Sequence, residues 1–368
     1  MTAFSHPSPI HQHRRALVRT RAALAAGKLS VGFLGGSITA PHVFRNWPEP
    51  LLAWLVERYP HARIAVENAA IGATGSDLAA FRAGPTVIAA GCDLVFVEFA
   101  VNDLGQPTDL RNRMREGVLR QLLAAGCDVV LAYTFSDAMQ ADMAAGRVPP
   151  SIAEYEALAE HYGIGSVWMS LHAWHEVHAG RMTWHEWLPD GLHPENRGSL
   201  SYAQSVIAFC EREFAATAVA AAPVRSALPA PLHAGCWETV SVVPWADIRT
   251  EGPWTLRRWY TCYGLDQALY TTAPGAALRF TFTGRGLVLG FDFGRFASEV
   301  RYRVDGGAWQ VTNRDRPAWA GDRGWLRPVI VSDTLAPGQH EFELETLAAP
   351  FPGNCGTVTT LGLVGVIG

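Results

Sequence analysis

The segment Ser-Val-Gly-Phe-Leu-Gly-Gly-Ser-Ile-Thr, residues 30–39, decides the fold of the first part of the chain. Its first five residues are mostly apolar and predict a buried strand over Ser30–Leu34. Two glycines follow directly, and glycine permits the tight turn by which a chain leaves a strand. Ser37 lies at this turn, and ligands of open α/β sheets bind beyond the carboxyl ends of the strands. The segment therefore predicts a sheet strand that delivers a serine to a place where a ligand can reach it.

From this segment to about Phe214, apolar strands alternate with helical patterns. Buried strands that alternate with helices form a parallel sheet covered on both faces, so we expect a three-layer α/β domain of flavodoxin-like type. Ser151 and Glu154 have the spacing of a capping box and predict the start of one helix. Strands are predicted over 62–66, 93–99, 128–133 and 164–169, and helices over 47–58, 110–125, 151–161 and 195–214.

A second pattern begins after residue 214. Residues 215–235 are rich in Ala and Pro and predict a linker. From 236 to 368 short strands are separated by turn residues, and Asp305-Gly306 between two alternating strands is a strong hairpin signal. We expect residues 1–214 to form the first domain, with a helical lead-in over 1–29, and 236–368 to form an antiparallel β-sandwich of jelly-roll type.

Composition excludes several classes of partner. The 368 residues carry a net charge of only −4 and contain no basic block, so no nucleic-acid partner is expected. No apolar run is long enough for a membrane span. The N-terminus shows no apolar signal segment, which predicts a cytoplasmic protein, with secretion open if a signal has been removed. The six cysteines are scattered and favour buried free thiols. The sequence does not define the oligomeric state.

Three further features accompany Ser37 at predicted strand ends and loops. Gly72 follows the second strand, where a glycine can lend a backbone N–H to an anion, although a simple turn would look the same. Asn102 follows the most apolar strand and could donate from its amide, or serve as a turn residue. Asp190-Gly191-Leu192-His193 allows the Asp190 carboxylate to hold one imidazole nitrogen of His193, leaving the other to act as a base.

The ordered set Ser37, Gly72, Asn102 and His193 resembles the SGNH (GDSL-type) hydrolase superfamily, which is named for four such blocks. The resemblance covers about residues 30–214. It implies that Ser37 is the nucleophile, that His193 is the base and that Asp190 orients it. It also implies that an oxyanion is held by the N–H groups of Ser37 and Gly72 and by the side chain of Asn102.

Two positions depart from the family pattern. Gly36 stands where the name motif has Asp, and Ala100 stands where the third block usually has Gly. Neither position transfers a proton in the family scheme, so the departures concern subfamily and substrate more than catalysis. An α/β-hydrolase fits less well, because Ser37 lacks the G-x-S-x-G elbow.

Other residues invite functional interpretations. Trp47, Trp184 and Trp187 could offer aromatic faces to a sugar or an acyl chain, or fill the core. His172, His175, His178 and His185 are poorly spaced for a metal site, and we expect no metal and no cofactor. Glu98 lies within an apolar strand and needs a partner if it is buried, but we assign it no catalytic role.

The sequence thus predicts a serine esterase that removes acetyl or another short acyl group, with a small-molecule or carbohydrate ester as its substrate. An acyltransferase acting on a sugar or envelope polymer would use the same triad, and a lipase would differ in acyl length. A catalytically idle pair of carbohydrate-binding modules is a rival of another class, which the full set of Ser37, Asn102, Asp190 and His193 disfavours. A jelly-roll beside such a catalytic domain is similar to arrangements in carbohydrate esterases.

Overall fold

The chain forms two compact units, Met1–Glu238 and Thr239–Gly368. A computed structural model describes residues 6–41, 45–215, 227–259, 266–294, 296–313, 318–320, 324–348 and 356–368. Much of the predicted linker, residues 216–226, lies outside the described residues, as do Cys262 and Cys355. The other four cysteines are buried free thiols. None of the described helices is long and apolar enough to cross a membrane.

The first unit is built on a six-stranded sheet with the order β1-β6-β5-β4-β2-β3. Strands β2 to β6 are mutually parallel, and their order corresponds to the 2-1-3-4-5 of flavodoxin-like folds. Every residue of the central β4 is buried, as expected for a strand covered on both faces. The strands are β1 (His11–Gln12), β2 (Lys28–Gly35), β3 (Arg63–Asn68), β4 (Leu94–Glu98), β5 (Asp128–Ala132) and β6 (Gly165–Val167).

The helices of this unit confirm the predicted α/β alternation. They are α1 (Val18–Ala25), α2 (Pro48–Arg58), α3 (Ser76–Arg82), α4 (Thr108–Ala124), α5 (Gln140–Ala144), α6 (Pro150–Tyr162), α7 (Met169–His178), α8 (Trp184–Trp187) and α9 (Asn196–Ala215). The short α3 continues into a π-helical turn over Gly84–Ile88. Helices α3, α5, α7 and α8 were not predicted, and the first residue of α7, Met169, lies at the end of the strand predicted over 164–169.

Two local expectations were wrong. The lead-in over 1–29 is not wholly helical, because β1 pairs antiparallel with β6 at the sheet edge and β2 begins at Lys28. Ser151 and Glu154 form no capping box, since Ser151 lies inside α6 and its hydroxyl donates to the carbonyl of Ala100. Glu154 instead pairs with arginines of α4. Both side chains therefore make contacts with buried polar groups and do not cap the helix.

The first unit continues beyond α9 to a segment that packs on α4. The side chain of Trp237 is fully buried, and its backbone N–H donates to the carbonyl of Arg113 at 3.0 Å. The Glu116 carboxylate accepts the N–H groups of Leu232 and His233 at 2.6 and 2.8 Å. Residues 229–238 therefore belong structurally to the α/β unit.

The second unit consists of two antiparallel sheets, which confirms the predicted β-sandwich. One has the order β15-β12-β17-β10-β9, with β7 also on β17, and the other has β14-β13-β16-β11-β8. The strands are β7 (Val240–Val242), β8 (Arg249–Glu251), β9 (Thr255–Arg258), β10 (Gln267–Thr271), β11 (Ala277–Gly284), β12 (Gly286–Asp292), β13 (Val300–Val304), β14 (Gln310–Val311), β15 (Leu326–Ser332), β16 (Gly338–Thr346) and β17 (Thr359–Ile367).

The sandwich core comes from the inner faces of both sheets. Phe280 and Phe342 of one sheet share a buried cluster with Leu289 and Phe291 of the other. Burial alternates along β11, as a strand with one face in the core requires. The hairpin predicted at Asp305-Gly306 joins β13 to β14, and both residues have positive φ, 52° and 67°, as a type I′ turn demands.

Candidate active site

Three of the predicted site residues follow neighbouring strands of the parallel sheet. Ser37 follows β2, Gly72 follows β3 and Asn102 follows β4, and β2 lies between the other two strands. The carboxyl ends of parallel strands meet at one edge of a sheet, so the three loops converge there. The structure thus brings together residues that are 65 positions apart along the chain, from 37 to 102.

His193 and Asp190 complete a hydrogen-bonded chain with Ser37. The Oγ atom of Ser37 lies 2.8 Å from Nε2 of His193. Nδ1 of the same ring lies 2.8 Å from Oδ2 of Asp190. The imidazole is therefore bound at both nitrogens, by a hydroxyl on one side and a carboxylate on the other. This is the arrangement in which a histidine can accept a proton from a serine.

The turn between α8 and α9 holds Asp190 in place through its own backbone. Oδ1 of Asp190 accepts the N–H groups of Leu192 at 3.0 Å and His193 at 2.7 Å, which leaves Oδ2 for the imidazole. Gly191 has φ +77°, a conformation that favours glycine. The Asp-x-x-His spacing therefore encodes a local turn that directs both side chains to the same side.

The carboxyl of Asp190 is stabilised in its charged form. Partial burial raises its pKa, but the hydrogen bonds from the N–H and the imidazole of His193, together with that from Leu192, outweigh this effect. The pKa of Asp190 is therefore below its ordinary value. A carboxylate that stays ionised can hold the imidazole in one orientation and stabilise it when it is protonated.

Gly72 and Asn102 lie against the serine turn. A β-carbon placed on Gly72 would be 3.5 Å from Cβ of Ser37, so the loop after β3 passes directly beside the serine. A β-carbon placed on Gly36 would overlap the side-chain amide of Asn102. The departure from the family motif at Gly36 has a physical reason here, since the absent side chain leaves the space that Asn102 occupies.

A buried ion pair ties two of these loops together, and sequence reasoning missed it. Asp103 accepts hydrogen bonds from the N–H and the hydroxyl of Ser76, at 2.9 and 2.8 Å. Arg115 donates to the same carboxylate at 2.8 Å, and both charged side chains are almost fully buried. The only available signal was an arginine on the face of α4 that carries the apolar residues. The loops after β3 and β4 are thus fixed to each other through side chains.

Two of the three tryptophans expected to face a substrate are core residues instead. Trp47 is fully buried, and its indole N–H donates to Oγ1 of Thr39 at 3.0 Å. Trp187 is also fully buried and donates to the hydroxyl of Tyr202 at 3.1 Å. Neither ring has a face left for a sugar, so this expectation is corrected for both. Trp184 is partly exposed and packs against Phe135 and Trp187.

Two histidines of the histidine-rich segment make polar contacts within the protein. Nδ1 of His172 lies 3.1 Å from the hydroxyl of Ser201, and Nδ1 of His178 lies 2.8 Å from the carbonyl of Trp174. Burial lowers the pKa of both His172 and His175. Among the described residues, no group of three or more His, Cys, Asp or Glu side chains is arranged to hold a metal ion.

Comparison with known proteins gives the class of the first unit. Residues 33–199 match the model of the GDSL-like Lipase/Acylhydrolase family. This segment is therefore similar to GDSL-like lipases and acylhydrolases, and the predicted resemblance to GDSL-type hydrolases is confirmed. This match to a lipase/acylhydrolase family confirms the expected carboxylic ester hydrolase at the level of the class. No curated protein matches the sequence.

Solved structures extend the likeness to both units. The chain is similar to a two-domain esterase (CEX) active on acetylated mannans, with a TM-score of 0.81 at 21% identity and 96% of each chain covered. The same esterase co-crystallised with mannopentaose gives a TM-score of 0.80 at 20% identity, covering 96% of this chain and 95% of that one. Axe2, an acetylxylan esterase from Geobacillus stearothermophilus, covers 51% of this chain and 94% of its own at 22% identity, with a TM-score of 0.38. At these identities the mannan esterase shows the fold, an SGNH-type α/β domain followed by a β-sandwich.

Proposed function

We propose that the protein removes acetyl groups from a carbohydrate by serine catalysis, with Ser37 as nucleophile, His193 as general base and Asp190 as its orienting carboxylate. The observation that carries this proposal is the continuous chain of two 2.8 Å hydrogen bonds from Ser37 through His193 to Asp190. Nucleophile and base within hydrogen-bond reach, with the base oriented by a third group, is the signature of nucleophilic catalysis.

The first half of the reaction forms an acyl-enzyme. Oγ of Ser37 bonds to the carbonyl carbon of the ester while Nε2 of His193 takes the hydroxyl proton. The carbon–oxygen bond to the sugar then breaks, and His193 gives the proton to the leaving sugar oxygen. Asp190 stays ionised throughout, which its lowered pKa supports.

The second half regenerates the serine. A water molecule attacks the acyl carbonyl and gives a proton to His193, and the bond between Oγ and the acyl carbon breaks. The proton returns to Oγ, and acetic acid leaves and ionises to acetate in solvent. An acyltransferase would differ only in the attacking hydroxyl, so the identity of the product separates the two activities.

The charge that develops on the carbonyl oxygen needs donors beside Ser37. We assign this role to the N–H groups of Ser37 and Gly72 and to the side-chain amide of Asn102. The support is positional, since Gly72 and Asn102 both lie against the serine turn. Donors fixed before the reaction lower the barrier because they need no reorganisation as charge appears.

Acetylated carbohydrate is proposed as the substrate class from the architecture. The two-domain esterase that the chain resembles over 96% of its length acts on acetylated mannans. The partly exposed Trp184 remains a predicted contact for a sugar or an acyl group, since aromatic rings pack well against both.

The test is acetate release from acetylated manno-oligosaccharides, together with hydrolysis of p-nitrophenyl acetate, butyrate and octanoate. We expect acetate as the product, a preference for the acetyl ester and no measurable turnover by Ser37→Ala. His178→Ala is a matched control for His193→Ala, because His178 is exposed and lies on α7. Full activity of Ser37→Ala would refute the mechanism. A preference for the octanoate ester would refute acetyl as the acyl group that is removed.

A further inference from the structure

Glu98 is a fully buried carboxyl that the proposed mechanism does not use. It is the last residue of β4, the central strand, and none of its surface is exposed to solvent. It lies opposite Gly35 in the register of β2 and β4, directly before the serine turn. A buried carboxylate is costly unless hydrogen bonds satisfy it, so its partners show what it does.

Its partners come from the serine turn and from the neighbouring strand end. The hydroxyl of Thr39 donates to Oε2 at 3.0 Å, and the hydroxyl of Thr134 donates to Oε1 at 2.7 Å. The N–H of Gly36 also donates to the carboxyl. Two of the three donors thus flank Ser37 in sequence, one residue before it and two residues after it.

The turn is therefore fixed from beneath by Glu98. Thr39 is itself held on the other side, because its Oγ1 accepts the indole N–H of Trp47 at 3.0 Å. The carbonyl of Thr39 accepts the side-chain amide of Asn68 at 2.9 Å. The Glu98 carboxylate contacts both ends of the four-residue stretch from Gly36 to Thr39.

We propose that Glu98 is a positioning residue for the nucleophile: by accepting from Gly36 and Thr39 it holds the turn in which Oγ of Ser37 meets Nε2 of His193. The inference rests on the proposed role of Ser37. Reacting atoms must be held closely, and a displacement of about 1 Å can cost roughly a hundredfold in rate.

The surroundings of Glu98 give this role a pH dependence. Burial raises the pKa of its carboxyl to about 7, against the hydrogen bonds from Thr134, Thr39 and Gly36, which lower it. The titratable groups that face it are Asp103 on the loop after β4, Tyr155 on α6 and Tyr202 on α9. Burial raises the pKa of both phenols above the ordinary value, so both stay neutral when Glu98 titrates. Protonation of Glu98 removes an acceptor from the turn.

A purely structural role predicts a different result from a positioning role. An ionised buried carboxylate lowers stability relative to a neutral group of the same shape. Glu98→Gln keeps the shape and removes the charge, so at pH 8 we expect an unfolding temperature equal to or above that of the wild type. We expect kcat to fall about tenfold or more, with KM changed less than about threefold.

The decisive measurements are kcat and KM from pH 5 to 9, and the rate at which a fluorophosphonate labels Ser37. In the wild type we expect an ionisation near pH 7 from Glu98, and Glu98→Gln should lack it. Thr39→Val and Thr134→Val form a matched pair, since each removes one hydroxyl donor from the carboxylate. Thr39→Val should slow labelling more than Thr134→Val, because only Thr39 belongs to the serine turn.

Wild-type kcat and labelling rate in Glu98→Gln would overturn the inference. Equal losses of rate in the two threonine variants would also overturn it, and they provide the test if Glu98→Gln does not fold. Failure of the proposed function is distinguishable, because Ser37→Ala would then keep its activity and the fluorophosphonate would not label Ser37 in the wild type.

Discussion

The two halves of the candidate site are built in different ways. The serine side lies at the edge of the parallel sheet and is held by buried groups from several strands and helices. The side that carries His193 and Asp190 is one turn between α8 and α9, and the Asp190 side chain is 55% exposed. Long-range packing positions the first half, whereas local hydrogen bonds position the second. Substitutions in the exposed turn should therefore affect activity alone, and substitutions beneath the serine should affect stability as well.

Among the substitutions that test this difference between the two halves, Asp190→Asn is expected to have the largest effect on activity. The amide cannot hold the imidazole as the carboxylate does, so kcat should fall by roughly 10³–10⁴. The unfolding temperature should change little, because the side chain is largely exposed and its contacts lie within one turn. Steady-state kinetics and calorimetry check this together. A large loss of stability would show that the turn depends on long-range contacts.

Asn102→Ala removes a proposed donor from the serine side. The rate should fall by roughly 10²–10³, the typical loss for one oxyanion donor. KM should change little, since the interaction forms mainly in the transition state. Kinetics with p-nitrophenyl acetate measure the effect. A variant with wild-type kcat would remove Asn102 from the proposed oxyanion hole.

Arg115→Met tests the framework beneath the serine side. It leaves the Asp103 carboxylate buried without its guanidinium, which should cost about 3–5 kcal/mol of unfolding free energy. Denaturant unfolding measures this cost, and Arg147→Met is a control because the Arg147–Asp142 pair is exposed. If both substitutions lowered the unfolding free energy equally, the buried Arg115–Asp103 pair would contribute no more to stability than an exposed pair.

The smallest effect concerns the pH dependence of stability. The pKa of Glu98 is raised from 4.5 to about 7 in the folded protein, so the folded state binds more protons between these values. The stability from this group is fully present below about pH 4.5 and is lost as pH rises through about 7. Asp77, whose pKa burial raises to about 6, acts in the same direction. The difference in unfolding free energy between wild type and Glu98→Gln from pH 5 to 8 isolates Glu98 and should amount to a few kcal/mol, at about 1.4 kcal/mol per pKa unit. An identical pH slope in the two proteins would contradict the raised pKa.

Sequence patterns predicted the elements of the first unit well because its strands are buried on both faces and its helices are periodic. The strand predicted over 93–99 is β4, and the helix predicted over 110–125 is α4. The patterns failed where a polar side chain had a distant partner. Ser151 and Glu154 have the spacing of a cap, but their partners are Ala100, Arg111 and Arg115.

The candidate site divides along the same line. The order of Ser37, Gly72, Asn102, Asp190 and His193 could be identified from sequence, because each follows a predicted strand or precedes a predicted helix. The burial of Trp47 and Trp187 could not be identified from sequence. A tryptophan near a site looks the same in the sequence whether its side chain faces the core or the solvent.

The sequence by itself determined the two-part architecture, the positions of the candidate triad and the local Asp-x-x-His turn, because hydrophobic period and short-range spacing are properties of neighbouring residues. Only the tertiary structure decided how the serine turn is held. The side-chain amide of Asn102 occupies the space that a side chain at position 36 would fill. The Glu98 carboxylate accepts hydrogen bonds from the serine turn and from Thr134. Such contacts join residues about 36 to 66 positions apart, and their specificity arises from the burial of polar groups that must find partners once the sheet has formed.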